Sequence, residues 1–528
     1  MHQDKEISST SADSGVKKSI HRASLLLMGS ILISRLIGFF REWVLAQTVG
    51  ANAQTDVYYA SFTIPDFLNY LMAAGALGIS FIPILSQFVA EGKTRSANEI
   101  FRCVTTVMGS VLVVFIIVAE IYARSLGELI APGFSSAQLD ELGFLIRIIL
   151  PAQLFFYWGG LAVAVQHVHG KFLIPAIAPI VYNLGIIAFG LMLQKTHGVV
   201  GFSVGVLVGS FVGHGLLQVW AIRRLGFSPL PLFRFSSEVK AAFRRYIWLT
   251  IPIMFGFSIV MADEWFGKYF ASSMKGSAVS WLQYARIEMR IPVSVIGQAA
   301  GIASFPFLAK LWSNKKYNEY GANLLREIQK LWAASLLAVV VCVIHALPIT
   351  HFIYGGGKFT AEDLAITSRV LQCFGLGIFF LTVQGLLSRG FYACQRTWLP
   401  SIVGTSVSVL AVGIYWYLGK VFGVQGLALA GSLSFGVYAI ALWLLLTIHL
   451  QKSCTELPWK AFYQFCGLWL IVAALLSLVS YGILELGIYQ GTRMTALADV
   501  LVTVGVISVV GLILLRKVFP KLTNGPLF

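Results

Sequence analysis

The chain has 528 residues, 57% of them hydrophobic and only 12% charged, with a mean hydropathy of +0.79. No water-soluble fold of this length has interior enough for that much apolar surface, so the class is a polytopic membrane protein. The formal net charge of +16 is spread over many short loops, which points to membrane topology and away from nucleic acid as a partner.

Residues 1–23 are polar and Ser-rich and carry no small-residue cleavage site, so they read as a cytoplasmic tail before a retained anchor. The first apolar segment, 24–49, holds Arg35, Arg41 and Glu42 near its middle. A charge at that depth costs about 3 kcal/mol on insertion scales, so such groups face a polar cavity or a partner. At 100° per residue Arg35 and Glu42 share a face two turns apart, with Arg41 a quarter-turn away. Two cations and an acid aimed inward suggest a site for an anionic group.

Apolar windows separated by turn-forming breaks predict thirteen further spans, near 56–89, 100–122, 141–167, 172–194, 199–222, 246–270, 278–309, 331–353, 364–389, 398–419, 424–450, 461–486 and 495–515. The distribution of Lys and Arg tests that count. The face carrying both tails holds 26 of them, the opposite loops seven, and the remaining six lie within spans. By the positive-inside bias both termini are cytoplasmic.

The fold class expected is therefore all-α, with fourteen transmembrane helices. The longest hydrophilic connection, 223–245, separates an N-lobe (24–222) from a C-lobe (246–450), leaving 451–515 as an appendage and 516–528 as a second cytoplasmic tail. An internal repeat supports the division. Lys171-Phe-Leu-Ile-Pro175 recurs as Arg396-Thr-Trp-Leu-Pro400, and Phe134-Ser-Ser as Phe359-Thr-Ala, both offset by 225 residues. In span two, Ile64-Pro65 is echoed by Ile291-Pro292 of span eight. Each copy has an even number of spans, so the copies insert in parallel, as two six-helix lobes around a central cavity.

The ionisable groups concentrate in the spans that open each copy. Span two adds Asp56, Asp66 and Asn69, span seven Asp263 and Glu264, and span eight Arg286, Glu288 and Arg290. Arg286 and Arg290 at i,i+4 share a face and repel, which calls for an acid between or beside them. Asp263 and Glu264 are the charge partners expected, and a phosphate clamp is the functional alternative, since the guanidinium fork grips two oxygens. Glu288 should point elsewhere, toward a neighbouring helix or water. Six scattered cysteines support neither a disulfide framework nor a metal site. No catalytic arrangement of Ser, His, Cys or paired acids is present, so no enzyme and no cofactor are expected.

From Ser34-Arg35-Leu-Ile-Gly38-Phe-Phe-Arg41-Glu42 through Thr55-Asp56-Val-Tyr-Tyr-Ala60, Ile64-Pro65-Asp66 and Phe81-Ile-Pro83, the chain resembles the MurJ/MviN lipid II flippases. These belong to the multidrug/oligosaccharidyl-lipid/polysaccharide exporter superfamily. The likeness continues through Ala131-Pro-Gly-Phe134, Ser280-Trp281 and Gly357-Lys358-Phe359-Thr360. It implies fourteen helices, two lobes around a V-shaped cationic cavity, and an outer groove from the last two helices for a polyprenyl tail. It carries the family's essential groups onto Ser34, Arg35, Arg41, Glu42 and Asp56.

Two departures stand out. Span two has Asn69-Tyr70 and Ala73-Ala74-Gly75 where the family places a basic pair and then Ala-Glu-Gly. Span eight has Tyr284-Ala285-Arg286-Ile287 where the family places Tyr-Ala-Asp-Arg. The substrate set expected is Ser34, Arg35, Arg41, Glu42, Asp56, Asn69, Arg286 and Arg290, partnered by Asp263 and Glu264. The resemblance implies a flippase for undecaprenyl-pyrophosphate-linked peptidoglycan precursor in the bacterial inner membrane. Membrane lipids and cell-wall synthesis proteins are its expected neighbours. The alternatives are a flippase for another polyprenyl-diphosphate glycan, an ion-coupled drug exporter, and a scaffold of the cell-wall synthesis complex.

Overall fold

A computed structural model describes residues 29–30, 33–73, 80–254, 259–396 and 398–518. The tails at 1–23 and 519–528 and the Ala74-Gly75 step of span two lie outside these. The described residues are almost entirely helical, with one isolated bridge between Gly356 and Phe359. Among them, nine helical runs are long and apolar enough to cross a membrane.

Two compact units emerge. The first comprises Met1–Val49, Val57–Leu129 and Ser135–Phe255, the second Gly50–Asp56, Ile130–Phe134 and Gly256–Phe528. In chain order the helices are α1 (33–48), α2 (Ala53–Ser61), α3 (Thr63–Ala73), α4 (Ile82–Ala90), α5 (Thr94–Ile121), α6 (Ala123–Ile130), α7 (Ser136–Ile149), α8 (Ala152–Val168), α9 (Leu173–His197), α10 (Val199–Ser210), α11 (Leu217–Arg223) and α12 (Ser237–Met254). They continue with α13 (Ile259–Ser272), α14 (Ala278–Ser313), α15 (Tyr317–Ile344), α16 (Ala346–Tyr354), α17 (Ala361–Ala393), α18 (Trp398–Ser453), α19 (Trp459–Glu485) and α20 (Arg493–Val518). A π-helical turn, Phe211–Leu216, joins α10 to α11.

The sequence repeat has a structural counterpart within each unit. Ser135 caps α7 by accepting from Gln138 N, and Thr360 caps α17 by accepting from Asp363 N, each as a reciprocal capping box. The residue before the next repeat element is left-handed in both copies, Gly170 at φ 67° and Gln395 at φ 60°. Gly198 (φ 53°, ψ −130°) turns the chain into α10, and Gly423 (φ 60°, ψ −140°) bends α18 in the middle. Only glycine enters that backbone region at little cost, so the 56-residue run of α18 is two helices joined at Gly423.

The core of the second unit is built by Leu324 and Ile328 of α15, Leu387 and Phe391 of α17, Leu442 and Leu446 of α18, and Trp469 of α19. The outward faces are also apolar. Val114, Ile117 and Ile121 of α5 and Leu470, Leu475 and Leu478 of α19 stand exposed, as they do where lipid is the solvent. All six cysteines are unbridged, and five of them are buried.

The 223–245 connection is anchored to α5. Arg102 donates to the Leu230 and Pro231 carbonyls (2.8 and 2.9 Å), and Ser228 N and Leu232 N donate to Asn98 and Thr106. Beside it Lys93 bridges Glu91 (2.9 Å) and Glu238 (2.7 Å), and its hydrogen bonds hold both carboxyls below their usual range.

Candidate functional site

In the first unit the charges of α1 form a network with two neutral groups. Arg41 donates through Nε to Glu42 Oε1 (3.1 Å), adds a second contact through Nη2, and reaches Asn183 Oδ1 through Nη1 (3.2 Å). Tyr59 of α2 donates to Glu42 Oε2 (2.7 Å), and Asn183 is oriented by its own bond to the Pro179 carbonyl (2.9 Å). Glu42 is buried and Arg41 half-buried, while Arg35 two turns earlier is exposed and Ser34 half-buried. The acid expected among the substrate contacts is thus the counter-ion of Arg41. On α3, Asp66 is exposed and Asn69 half-buried.

In the second unit the acids of α13 and the bases of α14 pair one to one. Arg286 Nε donates to Asp263 Oδ2 (3.0 Å), its Nη2 reaches the Asp263 carbonyl (3.3 Å) and its Nη1 reaches Gln283 (3.2 Å). Tyr415 of α18 donates to Asp263 Oδ1. Phe374 of α17 lies under the guanidinium at 5.5 Å. The fit depends on glycine: a Cβ on Gly267 would come within 2.8 Å of Arg286 Nη2, and one on Gly431 within 2.4 Å of Asp263 Oδ1.

Arg290 pairs separately with Glu264, and its side chain keeps 38% of its surface exposed. Arg286, by contrast, is 1% exposed. It therefore meets no ligand in this conformation, because its charge is fully engaged inside the helix bundle. The two arginines do not converge on one anion. Each takes its own acid.

Asp56 is likewise buried. Its Oδ1 accepts from Ser280 N (2.8 Å) and from the Ser280 hydroxyl, so it caps the first turn of α14. Tyr284, one turn on, donates to the Gly50 carbonyl (3.3 Å). Asp56 therefore acts here as a clasp within its unit, away from any open surface.

Sequence reasoning missed several polar groups. Tyr59, Asn183 and Tyr415 complete the two ion networks, and a neutral polar residue within an apolar span was the available signal. His345 is held by Asp499 of α20 (2.5 Å) and by Ser480 of α19 (3.0 Å), all fully buried, so a carboxylate of α20 ties α19 and α20 to the end of α15. Among the described residues, no group of three or more His, Cys, Asp and Glu side chains is arranged to hold a metal ion.

The comparisons with known proteins agree with this architecture. A family model described as "Lipid II flippase MurJ" matches residues 45–511. A protein of Burkholderia cenocepacia described as "Lipid II flippase MurJ" is 29% identical over 474 residues, covering 87% of this chain and 90% of its own. A "Probable lipid II flippase MurJ" of Borreliella burgdorferi is 27% identical over 470 residues, covering 84% and 89%. Among solved structures, "Lipid II flippase MurJ, inward closed conformation" matches with a TM-score of 0.76 at 21% identity, covering 94% of this chain and 99% of that one. An inward-facing multidrug resistance MATE family transporter of the MOP superfamily matches with a TM-score of 0.65 at 14% identity, covering 82% and 98%. At these identities the structural likenesses speak for the fold. Because the family model spans most of its length, the chain belongs to the MurJ family of lipid II flippases.

Proposed function

We infer that the protein flips an undecaprenyl-pyrophosphate-linked peptidoglycan precursor, lipid II, from the inner to the outer leaflet of a bacterial cytoplasmic membrane. The observation that carries the reading at this site is the Arg41–Glu42 pair within an apolar helix, with Arg35 exposed on the same helix. A guanidinium paired with a neighbouring carboxylate binds a diphosphate by turning its fork from one anion to the other, leaving the Glu42 carboxylate to its remaining donor, the Tyr59 hydroxyl. Arg290, half-exposed against Glu264, offers a second such exchange.

In this reading 24–222 and 246–450 are two six-helix lobes that alternate access to a central cavity, and 451–515 supplies a groove for the polyprenyl tail. Both termini are cytoplasmic, no cofactor takes part, and the protein is a transporter with no catalytic step.

A host whose only flippase is this chain tests the assignment. On depletion, lipid II should accumulate in the inner leaflet and fail to label from outside. Normal externalisation with no alternative carrier present would refute it. One observation favours a second substrate, another polyprenyl-diphosphate glycan: Arg286-Ile287 replaces the family's Asp-Arg step, and Arg286 is buried. Identifying the lipid-linked glycan that copurifies with the protein separates the two.

A further inference from the structure

The ion pairs above leave one acid of α14 unaccounted for. Glu288 is 2% exposed, and its Oε2 accepts a hydrogen bond from the Thr350 hydroxyl of α16 (3.0 Å). Its Oε1 is buried and has no hydrogen-bond partner among the described residues. The charged groups nearby are spent on one another. On α14 itself Arg286 and Arg290 are taken by Asp263 and Glu264 of α13, and Lys268 of α13 lies toward Glu264.

On α15 the group facing Glu288 is the Cys342 thiol. On α16, His351 is bonded to Tyr489. On α17, Asp363 accepts from Trp281 Nε1 and from Thr360, and on α18 Tyr415 is held by Asp263. A carboxylate with one neutral donor and one bare oxygen is expensive inside protein, and the neutral acid costs far less. A metal cation would need several more oxygens than Glu288 and Thr350 provide.

We propose that Glu288 is a proton-binding site of the transport cycle, occupied in this conformation and emptied when α14 moves to admit water. The balance is simple. The Oε1–H bond breaks to water, leaving a hydrated carboxylate and a hydronium ion, and resealing α14 against α15 and α16 requires the carboxylate to take a proton back. The same helix carries Arg286 and Arg290, so a movement that breaks either ion pair also changes the surroundings of Glu288. The coupling to transport rests on the flippase reading; the occupied acid does not.

Two measurements decide it. Infrared difference spectra of the purified protein in lipid nanodiscs, wild type against Glu288→Gln, should contain a protonated-carboxyl C=O band that the variant lacks. In proteoliposomes loaded with lipid II at clamped membrane potential, wild-type flipping should change several-fold with an imposed pH difference. Flipping by Glu288→Gln should be flat across the same difference, with Glu288→Asp restoring part of the response. Absence of the acid band would overturn the proposal. So would an acid band accompanied by wild-type flipping that ignores the pH difference, which would make Glu288 a permanently neutral structural acid. A Glu288→Gln protein that responds as wild type does would have the same consequence. Wild-type protein that moves no lipid II under any gradient would count against the flippase reading, and the infrared band would still decide whether Glu288 holds a proton.

Discussion

The two units share a frame and differ in what they do with charge. On the register that aligns Ile64-Pro65 with Ile291-Pro292, Tyr59 falls on Arg286 and Ser61 on Glu288. In each copy the second helix reaches back to an acid of the first: Tyr59 to Glu42 in one, Arg286 to Asp263 in the other. The first unit uses a neutral phenol, which leaves Arg41 only partly buried and its acid shared. The second uses a guanidinium and seals it at 1% exposure. The repeat therefore fixes where a polar bridge crosses between helices, while the residue placed there decides whether the bridge is exchangeable or permanent.

The contrast predicts that damage to the second network is a matter of folding and damage to the first a matter of transport. Asp263→Ala should be the most severe change, stranding Arg286 in the bundle at a cost of about 3–5 kcal/mol. Thermal unfolding in detergent and membrane abundance measure it, and an unchanged melting temperature would break the comparison. Arg35→Ala and Arg41→Ala should abolish flipping at normal abundance, since on the proposed reading each removes charge-assisted hydrogen bonds to the diphosphate, worth roughly 1.5–3 kcal/mol. Abundance that falls together with activity would show Arg41 to be structural as well.

The shared frame makes its own prediction. Gly198→Ala and Gly423→Ala should destabilise alike, by about 1–3 kcal/mol each, because both force a side chain into a glycine-only region. Unequal losses would mean that the two turns bear different loads. The smallest effect should come from Gln395→Gly, which relieves a left-handed residue at the place where the other copy already has Gly170. A gain of no more than about 1 kcal/mol is expected, because glycine's chain entropy offsets part of the relief.

Much of this was legible in the sequence because of depth. Arg35, Arg41, Asp263 and Arg286 were conspicuous as charges inside apolar windows, and the pairing of α13 with α14 follows from two acids preceding two bases. The repeat was legible because caps and turns use few residue types, as Ser135 and Thr360 show. What stayed hidden was which charges are satisfied, because that depends on neutral partners from distant helices. Asn183 lies 142 positions from Arg41, and Tyr415 lies 152 from Asp263, with nothing local to join them. Arg286 and Arg290 look equivalent at i,i+4 spacing, and only the glycine gaps at 267 and 431 explain why one is sealed.

The burial of the native thiols has a practical consequence. With five of six cysteines buried and none bridged, maleimide reagents should find little to react with in the wild-type protein. The natural chain can therefore serve as the background for site-directed labelling, with no need to strip its cysteines first. A cysteine placed at Lys93 and another at Lys195 would report, by which one an impermeant reagent reaches from outside the cell, the sidedness on which the whole topological reading depends.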